Sequence, residues 1–356
     1  MQPVTIVGAG GIGCAIGYAL SSTGVPVTFV EADTAKLAWG RAHGVRVDNF
    51  PPQRAEFLAF DDWQPAPDST ALLCTKCYDN PPVLRRLPAS VTLIPIQNGF
   101  DPELDALGHV WEGIASFVSE CAPGRTHTRI TRGGKLHFGK RGAWSAERGA
   151  RSAEGDLPDF RASRSALRAL RIRVVFVPDI LPYKYTKLMY NAAISPIAAA
   201  AALNNGQLLS VPKARRLFFE LLRENYAILH GASIPLGKVG PFHPDTVSLI
   251  LRSNTVAHAF AWAFYPTLRC SYCSMSGDLP KGRTEIDYYN RHLIDVANGQ
   301  PCPLNHRVYE LVKRMERQGT APGLEQLDEL VEVVGLHCND VRQRQTTNGP
   351  ARPDSG

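Results

Sequence analysis

Three polar residues in the second half of the chain are spaced so that a helix would place them on one face. Lys187, Asn191 and Ser195 lie four residues apart, and that spacing aligns side chains along a helix. A lysine ammonium can stabilise negative charge on an oxygen atom and give that oxygen a proton. Hydroxyl, amide and ammonium donors together also suit the carboxylate of a bound molecule. The pattern therefore predicts a polar stripe that faces a cleft.

A second group of polar residues occupies residues 274–287, beginning with Ser274. Thr284 and Asp287 have the spacing of a capping box, so we expect a helix to begin here and to continue to about residue 298. Glu285 would lie in its first turn, with the carboxylate near the helix N-terminus. Taken singly, such a glutamate is usually a cap and a helical lysine is usually a solvated surface group. The order of several motifs is therefore more informative than any one residue.

The N-terminal residues contain a glycine-rich turn of the kind that binds a dinucleotide. The pattern G-x-G-x-x-G directly follows an apolar run, residues 4–7, and opens a helix of small residues. The first glycine permits a tight turn, the second lets the backbone approach a pyrophosphate, and the third lets the helix pack closely on the strand. Amides at the helix N-terminus also favour phosphates. The turn consists of Gly8, Ala9, Gly10, Gly11, Ile12 and Gly13.

An acidic residue ends the second apolar run, eighteen positions after Gly13, and this residue is Glu31. A carboxylate there can accept hydrogen bonds from the adenosine ribose hydroxyls, and it would repel the additional phosphate of NADPH. Glu31 therefore favours NADH. Lys36 or Arg41 could still reach a 2′-phosphate, so NADPH stays open, and flavin cofactors use a similar turn.

The spacing of apolar residues predicts two domains of different class. Four short apolar runs alternate with amphipathic stretches, which is typical of parallel strands joined by helices. The runs are residues 4–8, 27–31, 70–75 and 91–96. We therefore expect an α/β, Rossmann-type, doubly wound domain over residues 1–181. Apolar residues three and four apart predict a mostly α-helical substrate and catalytic domain over residues 182–341, and the polar residues 342–356 predict a disordered tail.

Composition and charge are those of a globular protein. The 356 residues, 44% hydrophobic and 20% charged, suit two domains of roughly 150 to 200 residues each. No apolar run approaches the roughly 20 residues that cross a bilayer, and the N-terminus has no signal-peptide pattern, so we expect a cytoplasmic protein without a membrane partner. The net charge is +6, and the arginines within residues 161–173 have helical spacing. They predict a solvated helix face and no nucleic-acid partner.

The eight cysteines predict reduced thiols, because no secretion signal accompanies them. Two C-x-x-C spacings occur, Cys74 to Cys77 and Cys270 to Cys273. The first pair follows an apolar strand, in which residues three apart point to opposite faces, and the two pairs are almost 200 residues apart. We therefore expect buried free thiols and no metal site.

The motifs, taken in order, resemble those of the ketopantoate reductase (2-dehydropantoate 2-reductase) family. The resemblance extends from residue 4 to about residue 315, and the order and spacing of the segments are more specific than any single one. The matching segments are residues 8–13, Lys76, residues 97–99, residues 134–139, residues 187–196, residues 205–206 and residues 274–290.

The resemblance implies a reaction and a set of roles. It implies hydride transfer from NADPH or NADH to the keto group of 2-dehydropantoate, a small 2-oxo acid, in pantothenate biosynthesis. Lys187 matches the general acid, and Glu285 matches the acidic residue that positions the substrate and the lysine. Lys76 and Asn98 match residues at the nicotinamide end of the cofactor. The implied substrate-binding residues are Asn98, Asn191, Ser195 and Ser274.

Two departures from the family pattern leave alternatives open. The family commonly has a second asparagine where Ser195 stands, and many members carry a basic residue near the position of Glu31. One alternative is a specialised member that reduces a different 2-oxo acid, and another is a non-catalytic dinucleotide-sensing protein. An opine or 3-hydroxyacid dehydrogenase would need a different set of catalytic residues, typically with a histidine, and residues 187–196 and 274–290 contain no histidine. A homodimer is an expected assembly, because helical substrate domains often pair.

Overall fold

The computed structural model describes residues 3–142, 160, 163–269, 271–333 and 335. These residues form two compact units, of which the first lies within residues 1–191 and 234–247 and the second within residues 192–233 and 248–356. This division falls later than the boundary expected near Pro182, and it returns residues 234–247 to the first unit. The domain ranges expected from sequence remain a prediction. The expected tail, residues 342–356, lies outside the described residues.

The first unit contains the strands, and its main sheet is parallel. Five strands lie in the order β4-β2-β1-β5-β6, and each neighbouring pair is parallel. Because helices and loops cover both faces, the central strands are almost entirely apolar. This confirms the doubly wound fold that the alternating runs predicted. The strands are β1 Val4–Val7, β2 Val27–Glu31, β3 Arg46–Val47, β4 Glu56–Ala59, β5 Thr70–Leu73, β6 Thr92–Pro95, β7 Trp111–Ala115, β8 Val118–Cys121, β9 His127–Arg132, β10 Gly134–Lys140 and β11 Ile172–Asp179.

Two smaller sheets complete the first unit. One has the order β11-β10-β7 and the other has the order β3-β9-β8. In the first of them, β10 is parallel to β11 and antiparallel to β7, with His137 opposite Ile114. Arg164 and Arg168 are exposed on the helix Arg164–Ala169, as the helical spacing of the arginines predicted. Arg171 and Arg173 are also exposed, but they lie after the end of this helix.

Some of the helices pack on the parallel sheet of the first unit, and others form the second unit. Helix α1 packs so closely on the sheet that a Cβ atom on Gly17 would lie 2.2 Å from Cζ of Phe29. None of the helices in the described residues is long and apolar enough to cross a bilayer. The helices are α1 Gly11–Ser22, α2 Thr34–His43, α3 Asn80–Leu84, α4 Pro102–Ala106, α5 Arg164–Ala169, α6 Leu181–Ala200, α7 Asn205–Ser210, α8 Pro212–Gly231, α9 Pro244–Leu251, α10 Asn254–Leu268, α11 Ser274–Asp278, α12 Asn290–Ala297 and α13 Pro303–Gln318.

Apolar spacing alone predicts a single helix over residues 246–263, and the structure contains two. Helix α9 ends at Leu251, and α10 begins after Ser253, whose hydroxyl accepts a hydrogen bond from the amide of Val256 at 3.4 Å. A serine in this position is a common N-cap. The cap therefore interrupts a pattern that the apolar residues would otherwise continue.

A buried ion pair joins α6 to β7 within the first unit. The ammonium of Lys184 contacts the carboxylate of Glu112, and both side chains are fully buried. Arg141 and His109 also lie 3.5 and 3.6 Å from Glu112, and the Lys184 ammonium is 4.5 Å from the centre of the Phe100 ring. Burial alone would raise the pKa of Glu112, but Lys184 and the neighbouring donors lower this pKa to about 2. The carboxylate is therefore ionised at neutral pH.

We predict that Lys184→Met destabilises the protein by about 3 kcal/mol, because it leaves a buried carboxylate with weaker partners. The pKa of Glu112 is lower in the folded chain, so its contribution to stability is complete above about pH 4.5 and is lost as pH falls towards 2. Urea unfolding of wild type and Glu112→Gln across this range measures that loss. The variant should show the shallower pH dependence.

The matched control is Arg307→Met, which removes one partner of an exposed ion pair with Glu310. Exposed pairs contribute little, so the free energy of unfolding should change by less than about 1 kcal/mol. Equal losses in Lys184→Met and Arg307→Met would contradict the role assigned to the buried pair.

Candidate active site

The glycine turn, Lys76 and Asn98 all follow the carboxyl ends of strands in the parallel sheet. Gly8 follows β1, Lys76 follows β5, and Asn98 follows β6. Since β1, β5 and β6 are adjacent and parallel, their carboxyl ends share one edge of the sheet. Ligands of open α/β sheets bind at this edge.

The glycines of the turn are required for different reasons. Gly8 has φ +98°, and a Cβ atom on it would lie 3.1 Å from the carbonyl carbon of Cys74. A Cβ atom on Gly13 would lie 2.1 Å from the carbonyl oxygen of Gly8. Gly10 has φ −82°, and a Cβ atom there would meet nothing within 4 Å. Internal packing therefore explains Gly8 and Gly13, and it does not explain Gly10.

The residues present at the turn fit a dinucleotide pyrophosphate. Gly10 is the N-cap of α1 and provides no side-chain hydrogen bond to the amides of the first turn. These amides are the ones that a helix offers to phosphate oxygens. The space beside Gly10 is open, so a pyrophosphate can approach the backbone there, as the glycine pattern predicts.

Glu31 lies against this turn. One carboxylate oxygen accepts a hydrogen bond from the amide of Ala9 at 2.9 Å, and the other accepts from the amides of Ala32 and Asp33 at 2.9 and 3.0 Å. The ammonium of Lys36 lies 3.7 Å from the first oxygen. Burial opposes the charge on Lys36, but Glu31 raises the pKa of this lysine. The end of β2 therefore presents a fixed carboxylate and a neighbouring cation.

A buried amide network fixes the loops after β5 and β6 relative to each other. The side-chain amide of Gln97 donates to the carbonyl oxygen of Thr75 at 2.8 Å. Asn80 donates to the side-chain oxygen of Gln97 at 3.0 Å and to the carboxylate of Asp101 at 2.6 Å. These loops carry Lys76 and Asn98, so Gln97 positions both. Sequence reasoning missed this role, although Gln97 directly precedes Asn98 in a matched segment.

Lys187 and Asn191 lie on α6, which continues through Pro196 to Ala200. Both side chains are half-buried. Burial, and then the positive charge of Arg132, lower the pKa of Lys187 to about 8. An ammonium with this pKa gives up a proton at neutral pH more readily than an ordinary lysine. The residue type and its environment therefore suit a general acid.

The second unit contains Ser195, Ser274 and Glu285. Ser195 is buried, and its carbonyl oxygen accepts a hydrogen bond from Sγ of Cys273, the N-cap of α11, at 3.4 Å. Ser274 is the first residue of α11. Glu285 is only 3% exposed, and its carboxylate accepts a hydrogen bond from the hydroxyl of Tyr289 at 3.1 Å.

The expected capping box at Thr284 is wrong. The hydroxyl of Thr284 accepts from the amide of Ile286 at 3.2 Å, which makes a local turn. A 3₁₀ turn, Ile286–Tyr288, follows, and α12 begins only at Asn290. The carboxylate of Asp287 accepts hydrogen bonds from two side chains of α13, at 2.8 and 2.9 Å, so it is committed to a tertiary contact and does not cap a helix.

Cys74 and Cys77 of the first C-x-x-C spacing form no disulfide, and burial raises the pKa of the Cys74 thiol to about 12. Cys273 also forms no disulfide, whereas Cys270 lies outside the described residues. In the described ranges, no group of three or more His, Cys, Asp or Glu side chains is arranged to hold a metal ion.

Family models match both halves of the chain. Residues 4–143 match the model described as Ketopantoate reductase PanE/ApbA, and residues 179–316 match Ketopantoate reductase PanE/ApbA C terminal. Together the two matched regions cover most of the chain.

Curated relatives carry the name 2-dehydropantoate 2-reductase. The relative from Pyrobaculum aerophilum is 35% identical over 147 residues, which are 40% of this chain and 47% of that protein. The relative from Aquifex aeolicus is 24% identical over 39% of this chain and 41% of its own length. The chain thus spans less than half the length of these two relatives. The relative from Archaeoglobus fulgidus is 26% identical over 89% of this chain and 98% of its own length.

Solved structures share the fold. A PanE/ApbA family ketopantoate reductase from Ralstonia eutropha aligns with a TM-score of 0.67 at 22% identity, over 89% of this chain and 99% of that one. The complex of D-mandelate dehydrogenase with NADH aligns with a TM-score of 0.67 at 18% identity over the same shares. At these identities the likeness concerns the fold.

We predict that Gly10→Ala weakens dinucleotide binding without changing stability, whereas Gly13→Ala lowers the stability of the fold. Gly10→Ala should keep the melting temperature of wild type and lose dinucleotide affinity by about tenfold or more, because its methyl group enters only the space beside the turn. Gly13→Ala should destabilise the fold by about 1–3 kcal/mol, because its methyl group would overlap the carbonyl oxygen of Gly8.

Thermal unfolding and titration with NADH and NADPH, followed by nicotinamide fluorescence, measure the two effects. A Gly10→Ala variant that binds both dinucleotides like wild type would refute the assignment of the turn. A Gly13→Ala variant with unchanged stability would refute the packing explanation.

Proposed function

Because the chain belongs to the ketopantoate reductase family, we propose that it is an oxidoreductase that reduces the keto group of a small 2-oxo acid with a nicotinamide dinucleotide. The first substrate we propose is 2-dehydropantoate, which would give pantoate. The observation that supports this reaction most directly is Lys187, whose pKa is lowered to about 8 on a helix of the unit that also contains the glycine turn. A general acid for carbonyl reduction needs these properties.

The proposed roles of the residues are of two kinds, which are cofactor and substrate binding and proton transfer. The glycine turn and the first amides of α1 bind the pyrophosphate, and Glu31 accepts hydrogen bonds from the adenosine ribose. Lys76 and Asn98 hold the nicotinamide end of the cofactor. When bound, the reduced nicotinamide supplies the hydride. The Gln97 network keeps Lys76 and Asn98 at fixed positions as the substrate binds.

Lys187 stabilises the negative charge that develops on the keto oxygen and gives this oxygen a proton. Its lowered pKa makes the proton easier to transfer while most of the lysine is still protonated at pH 7. Asn191, Ser195 and Ser274 donate hydrogen bonds to the substrate, and Glu285 orients the substrate and the lysine. The carboxylate of Glu285 is itself oriented by the hydroxyl of Tyr289.

We propose NADH as the preferred cofactor. Glu31 is held rigidly by three backbone amides, so a 2′-phosphate could not displace its carboxylate without breaking those hydrogen bonds. Lys36 is the group that would favour NADPH, since it is a cation beside the same carboxylate.

A second candidate function is reduction of a different 2-oxo acid by the same chemistry. Ser195 supports it, because the side chain is buried and its hydroxyl is shorter than the asparagine amide common in the family. A shorter donor leaves room for a differently shaped substrate. The alternative of a non-catalytic dinucleotide sensor is an outcome of the test below.

We predict that the protein oxidises NADH or NADPH in the presence of 2-oxo acids, tested as a panel headed by 2-dehydropantoate. Lys187→Ala should lower kcat by about 10²- to 10⁴-fold, the usual contribution of a general acid, with dinucleotide affinity unchanged. For wild type, kcat/KM should be constant at lower pH and fall as pH rises through about 8, because the reaction needs protonated Lys187. Loss of nicotinamide absorbance measures kcat and kcat/KM, and a titration followed by nicotinamide fluorescence measures dinucleotide affinity.

The matched control is Lys238→Ala, which removes an exposed lysine of the same unit and should leave kcat unchanged. Turnover of another 2-oxo acid but not of 2-dehydropantoate would select the second candidate function. Dinucleotide binding without turnover of any panel member would reject both reductase functions and favour the sensor.

We predict that Glu31→Arg changes cofactor preference. The ratio of kcat/KM with NADPH to that with NADH should rise about tenfold or more, as expected for exchanging a ribose acceptor for a phosphate donor. Glu56→Arg serves as the control, since Glu56 is exposed on the neighbouring strand β4 and bonds only to Thr28 among the described side chains. An unchanged ratio in Glu31→Arg would remove Glu31 from the cofactor site.

A further inference from the structure

Arg132 is a half-buried cation that no acidic side chain neutralises among the described residues. It is the last residue of β9, and burial lowers the pKa of its guanidinium. Its hydrogen bond is a long one, from Nη2 to the carbonyl oxygen of Ser116 at 3.5 Å. By contrast, Arg129 on the same strand pairs with Glu120 at 3.1 Å. Burying a charge without a counter-ion is costly, so Arg132 is poorly explained as a structural residue.

The first turns of α6 contact β7 and β10, close to the residue that Arg132 contacts. Glu112 of β7 binds Lys184 of α6, and the ring of His137 of β10 lies 5.0 Å from the ring of Tyr183 of α6. Ser116, whose carbonyl oxygen Arg132 contacts, directly follows the last residue of β7. The guanidinium therefore lies at the end of the strand over which the first turns of α6 pack.

Lys187 and Arg132 are two neighbouring cations without counter-ions. Like Arg132, Lys187 makes no ion pair with any side chain in the described ranges. The carboxylate of Glu112 is occupied by Lys184, and burial holds the pKa of His137 at about 4, so this histidine is neutral. Arg132 is thus the charge that acts on Lys187, and it lowers the pKa of that lysine.

We propose that Arg132 binds the carboxylate of the 2-oxo acid, and this rests on the proposed function for the keto group. A 2-oxo acid carries its carboxylate on the carbon next to the keto carbon, so it needs one cation at each of two adjacent oxygen positions. A guanidinium is suited to the carboxylate because its planar fork can donate two parallel hydrogen bonds. Lys187 then remains available to donate a proton to the keto oxygen.

The same arrangement couples substrate binding to the proton on Lys187. A carboxylate on Arg132 cancels the repulsion that Arg132 exerts on the lysine, so Lys187 binds its proton more firmly in the complex than in the free protein. The alkaline limb of kcat, which reports the complex, therefore lies at higher pH than the alkaline limb of kcat/KM, which reports the free protein. Neutral substrates that lack the carboxylate would not produce this difference.

The test compares Arg132→Met and Arg132→Lys with Arg129→Met, a control on the same strand. Calorimetric titration with oxamate, an unreactive amide analogue of a 2-oxo acid, measures binding of the carboxylate to the protein saturated with oxidised dinucleotide. Arg132→Met should weaken oxamate binding and raise KM by about 10- to 100-fold, as expected for losing a charge-assisted hydrogen bond. Arg132→Lys should restore part of the affinity, and Arg129→Met should match wild type.

A second measurement does not depend on turnover. Reductive methylation with ¹³C-formaldehyde followed by NMR titration reports the pKa of Lys187, identified by its absence in Lys187→Arg. This pKa should rise in Arg132→Met and stay unchanged in Arg129→Met. A merely structural role for Arg132 would not move it in this direction.

The outcomes separate this proposal from the proposed function. Wild-type turnover of 2-oxo acids with unchanged oxamate affinity and KM in Arg132→Met would overturn the role of Arg132 and leave the reductase standing. Oxamate binding that depends on Arg132 in a protein without turnover would support the carboxylate site and overturn the reductase. An unchanged pKa of Lys187 in Arg132→Met would overturn the coupling between the two cations.

Discussion

The contact between the backbone of Gly8 and the first turn of α1 is the constraint on which the rest of the first unit depends. There is no room for a methyl group on Gly13, and the left-handed φ of Gly8 directs the chain out of β1 towards the helix. This contact places the N-terminus of α1 at the carboxyl edge of the sheet, where Lys76 and Asn98 also lie. It also lets the amide of Ala9 bind Glu31, so the turn and the end of β2 form one continuous surface.

The cations of the first unit differ in whether they have a partner, and that difference separates structural residues from chemical ones. Lys184 is fully buried and bound to Glu112, so it fixes α6 on β7. Lys187 lies one turn later on the same helix, without such a partner, and its pKa is close to neutral. Helix α6 thus carries both the ion pair that attaches it to β7 and the proposed proton donor, Lys187.

The sequence predicted the glycine turn, the central strands and α6 because these depend on signals from neighbouring residues. Glycine spacing, alternation of apolar runs and a repeat of four are all visible locally. The roles of Gln97, Arg132 and Glu112 were not predictable, because each depends on a partner distant in the chain. The capping box at Thr284 failed for the same reason: Asp287 matched a local pattern, but its carboxylate serves α13.

The lowered pKa of Lys187 also sets its reactivity towards reagents other than substrate. At pH 7, an amine with a pKa of about 8 is roughly one-tenth unprotonated, whereas an ordinary lysine is unprotonated in fewer than about one molecule in a thousand. Only the unprotonated amine attacks electrophiles. Lys187 is therefore more reactive towards a mild acylating compound than a lysine of ordinary pKa, and a selective covalent inhibitor could be built on that difference.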